Sequence, residues 1–144
     1  MSGSSVLDLF AGTGAFGFEA LSRGAEAVVF VDSDRLATKL LSETAESLHV
    51  QESVVVLTLT ALQAIAKLTG EGRKFGTVFL DPPYETDWIQ RVVSTSTFMD
   101  LFTTEGTLII ERSARLQEPR VPKSFHKAFG RKYGDTIVEI FHVT

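Results

Sequence analysis

The chain has 144 residues, 44% apolar and 22% charged, enough for one domain with its own core and too few for two. No apolar run reaches the roughly 18 residues needed to cross a bilayer, and no basic start leads into an N-terminal apolar core. With no cysteine, three scattered histidines (His49, His126, His142) and a net charge of −4, the chain lacks disulfides, thiol catalysis, a recognisable metal motif and the charge to coat nucleic acid. The expectation is a soluble cytoplasmic domain that uses no metal and meets no membrane.

In chain order, Ser5 to Phe10 reads as a buried strand, followed by glycines and a helix from Ala15 to Arg23 that Gly24 closes in a left-handed cap. Ala27 to Val31 is a second strand ending at Asp32. Ser33 or Asp34 caps the next helix, which carries Leu36, Leu40, Leu41, Ala45 and Leu48 on one side. Val54 to Leu59 is a third strand, and Ala61 to Leu68 a short helix with Leu62, Ile65 and Ala66 inward. Thr77 to Leu80 is a fourth strand, stopped by prolines that cannot donate to a ladder. A helix over 87–102 follows, weakest at Ser94 to Thr97, and Gly106 opens a fifth strand from Thr107 to Glu111. Two last strands, Ser124 to Phe129 and Thr136 to Val143, are joined near 130–134. Strands alternating with helices indicate an α/β fold: a mostly parallel sheet covered on both faces, ending in an antiparallel hairpin, with ligands beyond the C-terminal strand ends.

Two stretches carry chemistry. Gly12-Thr13-Gly14-Ala15-Phe16-Gly17 follows a strand and opens a helix, and Asp32 stands twenty residues after Gly12 at the end of the second strand. Glycines let the backbone approach a ligand without Cβ contact, and the acid suits two ribose hydroxyls. The pattern fits a nicotinamide dinucleotide or S-adenosylmethionine. Asp8, just ahead of the glycines, favours the second, because a carboxylate there suits an ammonium and a sulfonium and opposes a pyrophosphate. The other stretch is Asp81-Pro82-Pro83-Tyr84 at the tip of the fourth strand. The Asp81 side chain and the Pro82 carbonyl are two acceptors that can grip both hydrogens of an exocyclic amine, on a backbone stiffened by proline. Tyr84 offers a face on which a planar base can stack.

Together the runs VLDLFAGTGAFGFEALSRGA, VFVDSD and VFLDPPY resemble the class I S-adenosylmethionine-dependent amino-methyltransferases of nucleic acids, and most of all the RsmD-type family, which methylates guanine N2 in small-subunit (16S) ribosomal RNA. The resemblance spans nearly the whole chain and implies a Rossmann-like fold with a seven-stranded sheet. It implies that Asp8, Gly12 and Gly14 hold the methionine end of S-adenosylmethionine and Asp32 its ribose, with Phe10, Thr60 and Ala61 completing the cofactor set. Thr60 stands where the family often has Asp or Asn near the adenine. Asp81, Pro82, Pro83 and Tyr84 become the catalytic set, ribosomal RNA or the small ribosomal subunit the partner, and a monomer the expected state. Members of the family normally carry about 40 residues before the first strand, including basic ones that contact RNA, so the segment is expected to be lacking here.

Adenine-N6 or cytosine-N4 methylation of DNA, and a cofactor- or RNA-binding domain without turnover, remain open beside this reading. A nicotinamide oxidoreductase is the remotest, since nothing supplies its acid or base. Charge is uneven: Arg112 to Lys132 holds seven basic residues against Glu118, while the first 111 residues carry a net −8. That basic stretch is either a phosphate-facing patch or a solvated loop and hairpin. Glu111 and Arg112 fall near the expected cleft by topology, with exposure at the surface the simpler reading.

Overall fold

The computed structural model describes residues 3–84 and 86–144. Its elements are β1 (Ser5–Asp8), α1 (Ala15–Ser22), β2 (Ala27–Asp32), α2 (Arg35–Ser47), β3 (Val54–Thr58), α3 (Ala61–Gly70), β4 (Phe75–Leu80), α4 (Trp88–Val93), β5 (Phe102–Ser113), β6 (Phe125–Tyr133) and β7 (Thr136–Val143). The strands form one sheet in the order β3-β2-β1-β4-β5-β7-β6. All pairs are parallel except β5 with β7 and β6 with β7. The doubly wound arrangement expected from the alternation of strands and helices is present, with the antiparallel hairpin at its end.

Burial explains the layers. Successive residues of a strand face opposite sides of the sheet, so Val6, Val28 and Phe30 meet Ala20 of α1 and Leu41 of α2 on one face. Leu7, Val29 and Val31 meet Ile65 and Leu68 of α3 and Val92 of α4 on the other. Strand order reverses between β1 and β4, which opens a crevice beyond their C-terminal ends. The glycine loop leaves β1 there, and the Asp81–Tyr84 tetrapeptide leaves β4 beside it.

Several elements differ from their sequence reading. The helix expected over 87–102 is α4 alone, followed by a single 3-10 turn at Phe98–Leu101. Serines and threonines between them compete with the helical backbone: Thr95 Oγ1 donates to the Arg91 carbonyl at 3.0 Å. Phe98 packs instead with Phe102 and Phe125. β5 runs twelve residues rather than five: it starts at Phe102, paired with Phe75 of β4, and β7 extends its ladder as far as Ser113. The hairpin turns at Gly134, whose φ is 59°, inside the expected 130–134 join, and β6 runs on to Tyr133 rather than ending at Phe129. On α2 the inward side is Thr38, Leu41 and Ala45, leaving Leu36, Leu40 and Leu48 exposed, and on α3 Ala66 faces out. Gly24, with φ 101°, does end α1 in the left-handed region, and Asp34 rather than Ser33 caps α2.

Candidate active site

The glycine loop is built by two short backbone bonds and by the room its glycines leave. Ala11 N donates to the Val31 carbonyl at 2.9 Å and Gly14 N to the Ala11 carbonyl at 2.8 Å, which ties the loop across β2 and back on itself. Gly12 has φ 53°, and a Cβ there would meet no atom within 4 Å, so its α-carbon looks into open cleft. Gly17 is confined for the opposite reason: a Cβ would lie 2.3 Å from the Phe30 ring, so only glycine lets α1 settle on β2. Gly14 is the N-cap of α1 and is buried against Phe18 and Leu41 rather than turned to the cleft.

Asp32 does more than end β2. Its two carboxylate oxygens accept from Gly12 N and from Asp34 N, both at 2.9 Å. The acid is thereby held in one orientation against the loop, with lone pairs left for a further donor. Thr60, where the family often has Asp or Asn, caps α3 in a reciprocal box with Gln63: Thr60 Oγ1 accepts from Gln63 N at 3.2 Å and Gln63 Oε1 from Thr60 N at 3.0 Å. Gly12, Asp32, Thr60 and Ala61 line one cavity of about 360 Å³, which Phe10, Asp81, Pro82 and Pro83 close on the far side. Trp88 walls it too, meeting Phe10 edge to face at 5.7 Å with the Arg91 guanidinium 4.2 Å over its ring. A second cavity of about 510 Å³ continues past Gly12 and Asp81 to Asp8, Phe16 and Glu111.

Electrostatics mark this pair of cavities. Asp8 is 1% exposed, and burial, then repulsion from Asp81 and Asp32, pushes its carboxyl up to about 7 against the pull of the Phe10 and Gly17 amides. Its Oδ1 has no hydrogen-bond partner among the described residues. Asp81 is raised to about 6 by desolvation and by Glu111. Asp8, Asp32, Asp81 and Glu111 thus line two cavities that have no Lys or Arg among their described lining residues. A buried carboxylate oxygen without a partner is costly, and the donor set fits a ligand bearing positive charge. With the open face of Gly12 and the oriented acid of Asp32, these residues suit S-adenosylmethionine.

The tetrapeptide divides in two. Asp81 lines both cavities and the buried Pro82 lines the first, while Tyr84 turns away: its hydroxyl donates to the Asp135 carbonyl at 2.8 Å and meets Thr136 Oγ1 at 2.8 Å, leaving the residue 52% exposed. Tyr84 therefore ties the β4 tip to the start of β7 and lines neither cavity described above. Arg112 departs from its sequence reading. It is buried, not exposed, and its Nε donates to Glu139 Oε1 at 2.7 Å. Elsewhere the basic stretch is paired but exposed: Lys127 Nζ reaches Glu139 Oε2 at 2.7 Å and Glu118 Oε1 at 2.9 Å, and Arg115 pairs with Asp135. An alternating strand pattern with Ile110 inward would have placed Arg112 inward as well. Phe16, stacked on Phe79 at 4.0 Å, is a wall of the second cavity.

A family model described as "Conserved hypothetical protein 95" matches residues 1–142. The chain belongs to this family. Within the Conserved hypothetical protein 95 family the RsmD-type resemblance of the motifs stands. The chain is similar to the putative rRNA methyltransferase YlbH of Bacillus subtilis, 29% identical over 139 residues, which cover 96% of this chain and 76% of that protein. It is also similar to the ribosomal RNA small subunit methyltransferase D of Haemophilus influenzae, 34% identical over 92 residues, 63% of this chain and 47% of that one. The chain thus spans about half the length of that relative. Among solved structures, the putative methyltransferase yhhF of Escherichia coli superposes with a TM-score of 0.90 at 23% identity, covering 99% of this chain and 78% of that one. A putative methyltransferase complexed with SAH (S-adenosylhomocysteine) gives 0.84 at 15% identity, covering 99% and 46%. The fold is the Rossmann-like class I methyltransferase fold.

Proposed function

We propose that the chain transfers a methyl group from S-adenosylmethionine to the exocyclic N2 amine of a guanine in small-subunit ribosomal RNA. One observation carries the reading: Asp81 lines both a cleft suited to a cationic nucleoside and an adjoining cavity open to a base, and Pro82, with its carbonyl acceptor, follows it in the wall of the first. The names of the relatives in Bacillus subtilis and Haemophilus influenzae support ribosomal RNA as the substrate class. Asp32 receives ribose hydroxyls, Asp8 faces the positive charge of the methionine end, and Phe10, Thr60 and Ala61 frame the adenosine.

When bound, S-adenosylmethionine supplies an electrophilic methyl group on a sulfonium. The protein's part is positioning and charge. An exocyclic amine is a poor nucleophile because its lone pair is shared with the ring. Hydrogen bonds from its two N–H groups to the Asp81 carboxylate and the Pro82 carbonyl fix its plane and orient it toward the methyl group. Negative charge at Asp81 then opposes the positive charge developing on nitrogen, and Asp81, held near 6, accepts the departing proton near neutral pH. The base leaves any helix it occupies to reach the cavity, at a cost of a few kcal/mol.

The test is to incubate the chain with methyl-labelled S-adenosylmethionine and either small ribosomal subunits or DNA, then digest each nucleic acid to nucleosides. Label in N2-methylguanosine supports the proposal. Label in N6-methyladenine or N4-methylcytosine on DNA replaces it with the DNA reading, and cofactor binding without product on any nucleic acid overturns turnover altogether.

A further inference from the structure

A third cavity, of about 640 Å³, lies between α4 and the segment 116–120 and is lined by Arg112 but not by Glu111. Adjacent strand residues face opposite sides, so Arg112 looks toward this cavity while Glu111 looks toward the second. The walls are apolar at Ile89, Leu116 and Pro119. Gln90 braces them, accepting from Arg120 N at 2.8 Å and donating to the Arg120 carbonyl at 3.3 Å. Thr86, whose hydroxyl donates to the Pro83 carbonyl at 2.9 Å, joins the cavity to the tetrapeptide.

Arg112 is the one deeply buried charge lining it among the described residues, with a side chain 7% exposed. Its Nε is fixed by Glu139, and its two terminal nitrogens have no hydrogen-bond partner among the described residues. Glu139 is held well ionised by Arg112 and Lys127 despite its burial. Arg112 and Lys127 against Glu139 and Glu118 leave no net charge in the cluster. A phosphate would find no excess of positive charge here. A planar, neutral group with two adjacent acceptors fits better: apolar walls take its faces, and the guanidinium fork takes its edge.

We propose that this cavity is a second base-binding subsite, which takes a nucleobase neighbouring the methylated one and reads two adjacent acceptors on it, such as O6 and N7 of a guanine, through Arg112. The proposal rests on the methyl-transfer reading above and adds to it a residue that sets sequence preference.

Fluorescence anisotropy of labelled single-stranded hexaribonucleotides tests it, each carrying two guanines or the same sequence with one replaced by 7-deazaguanine. The full chain is expected to bind the guanine strand about tenfold more tightly than one of the deaza strands. Arg112→Lys, which keeps the charge on Glu139 but loses the fork, is expected to bind both alike. Leu116→Trp fills the cavity, leaves the ion pair intact and is expected to do the same, which covers a lysine variant that fails to fold. Equal binding of all strands by the unaltered chain, or a preference that survives both substitutions, overturns the subsite. Each titration is run with and without S-adenosylhomocysteine. A chain with no affinity for that nucleoside overturns the methyl-transfer reading instead, so the two failures are told apart.

Discussion

Asp8 sits at the end of β1 with a carboxyl held at about 7 and one oxygen unpartnered, and its ionisation is coupled to whatever positive charge enters the cleft. A cationic ligand favours the carboxylate, so the acid must lose its proton for tight binding. Cofactor affinity is therefore expected to rise between pH 6 and pH 8, by about tenfold, and Asp8→Asn to weaken binding and flatten the profile. Trp88, the sole tryptophan, lines the cavity proposed for the cofactor, so quenching of its fluorescence can follow the titration. A profile equally flat in both proteins would contradict the role given to Asp8. Asp81 separates binding from chemistry: Asp81→Ala is expected to lower methyl transfer at least 100-fold, the scale of losing a group aimed at developing charge.

At the level of elements, the junction of α1 with β2 shows how packing reaches the site. Gly17→Ala puts a methyl group into the Phe30 ring, 2.3 Å from its nearest carbon. Relief requires α1 to move, and α1 carries the glycine loop with it. A loss of about 1–3 kcal/mol on chemical denaturation is expected, with weaker cofactor binding, whereas a neutral effect on both would show that the contact yields freely. Thr60→Ala, which removes the α3 cap, is expected to cost about 1 kcal/mol. The elements that position the cleft were legible in the sequence because each signal was local: glycines at a strand end, an acid closing the next strand, prolines stopping β4. What escaped depended on distant partners. The helix expected over 87–102 broke because Phe98 finds Phe102 and Phe125, and no local pattern announces an aromatic trio closed by β6. Arg112 was placed outside because its partner Glu139 is 27 residues away. Tyr84 carried a base-stacking expectation, and its hydroxyl bonds to the start of β7 belong to the same class of long-range contact.

For the molecule as a whole, buried charge couples stability to pH. Asp8 and Asp81 hold their protons in the fold more firmly than their ordinary value of 3.8 allows. The folded state therefore binds more protons than the unfolded chain over that window, and this contribution, present below pH 3.8, is lost as pH rises through about 6 and 7. The ligand-free chain is expected to lose stability from pH 4 to pH 7.5 through these groups, and Asp8→Asn to remove most of the slope, on the order of 4 kcal/mol at full extent. Glu139→Ala acts at all pH values, because it strands Arg112 inside the protein. It is expected to cost about 3–5 kcal/mol and lower the melting temperature sharply, and an unchanged melting curve would contradict a structural role for that pair. The fold, the two adjoining cavities and their carboxylates converge on one claim: the crevice between β1 and β4 binds an adenosylated sulfonium. Calorimetric titration of S-adenosylmethionine into the chain tests that claim most directly. Saturable one-site heat is expected, abolished by Asp32→Ala and retained by Asp81→Ala. No heat from the folded, unaltered chain, or equal heat from the Asp32 variant, would contradict it.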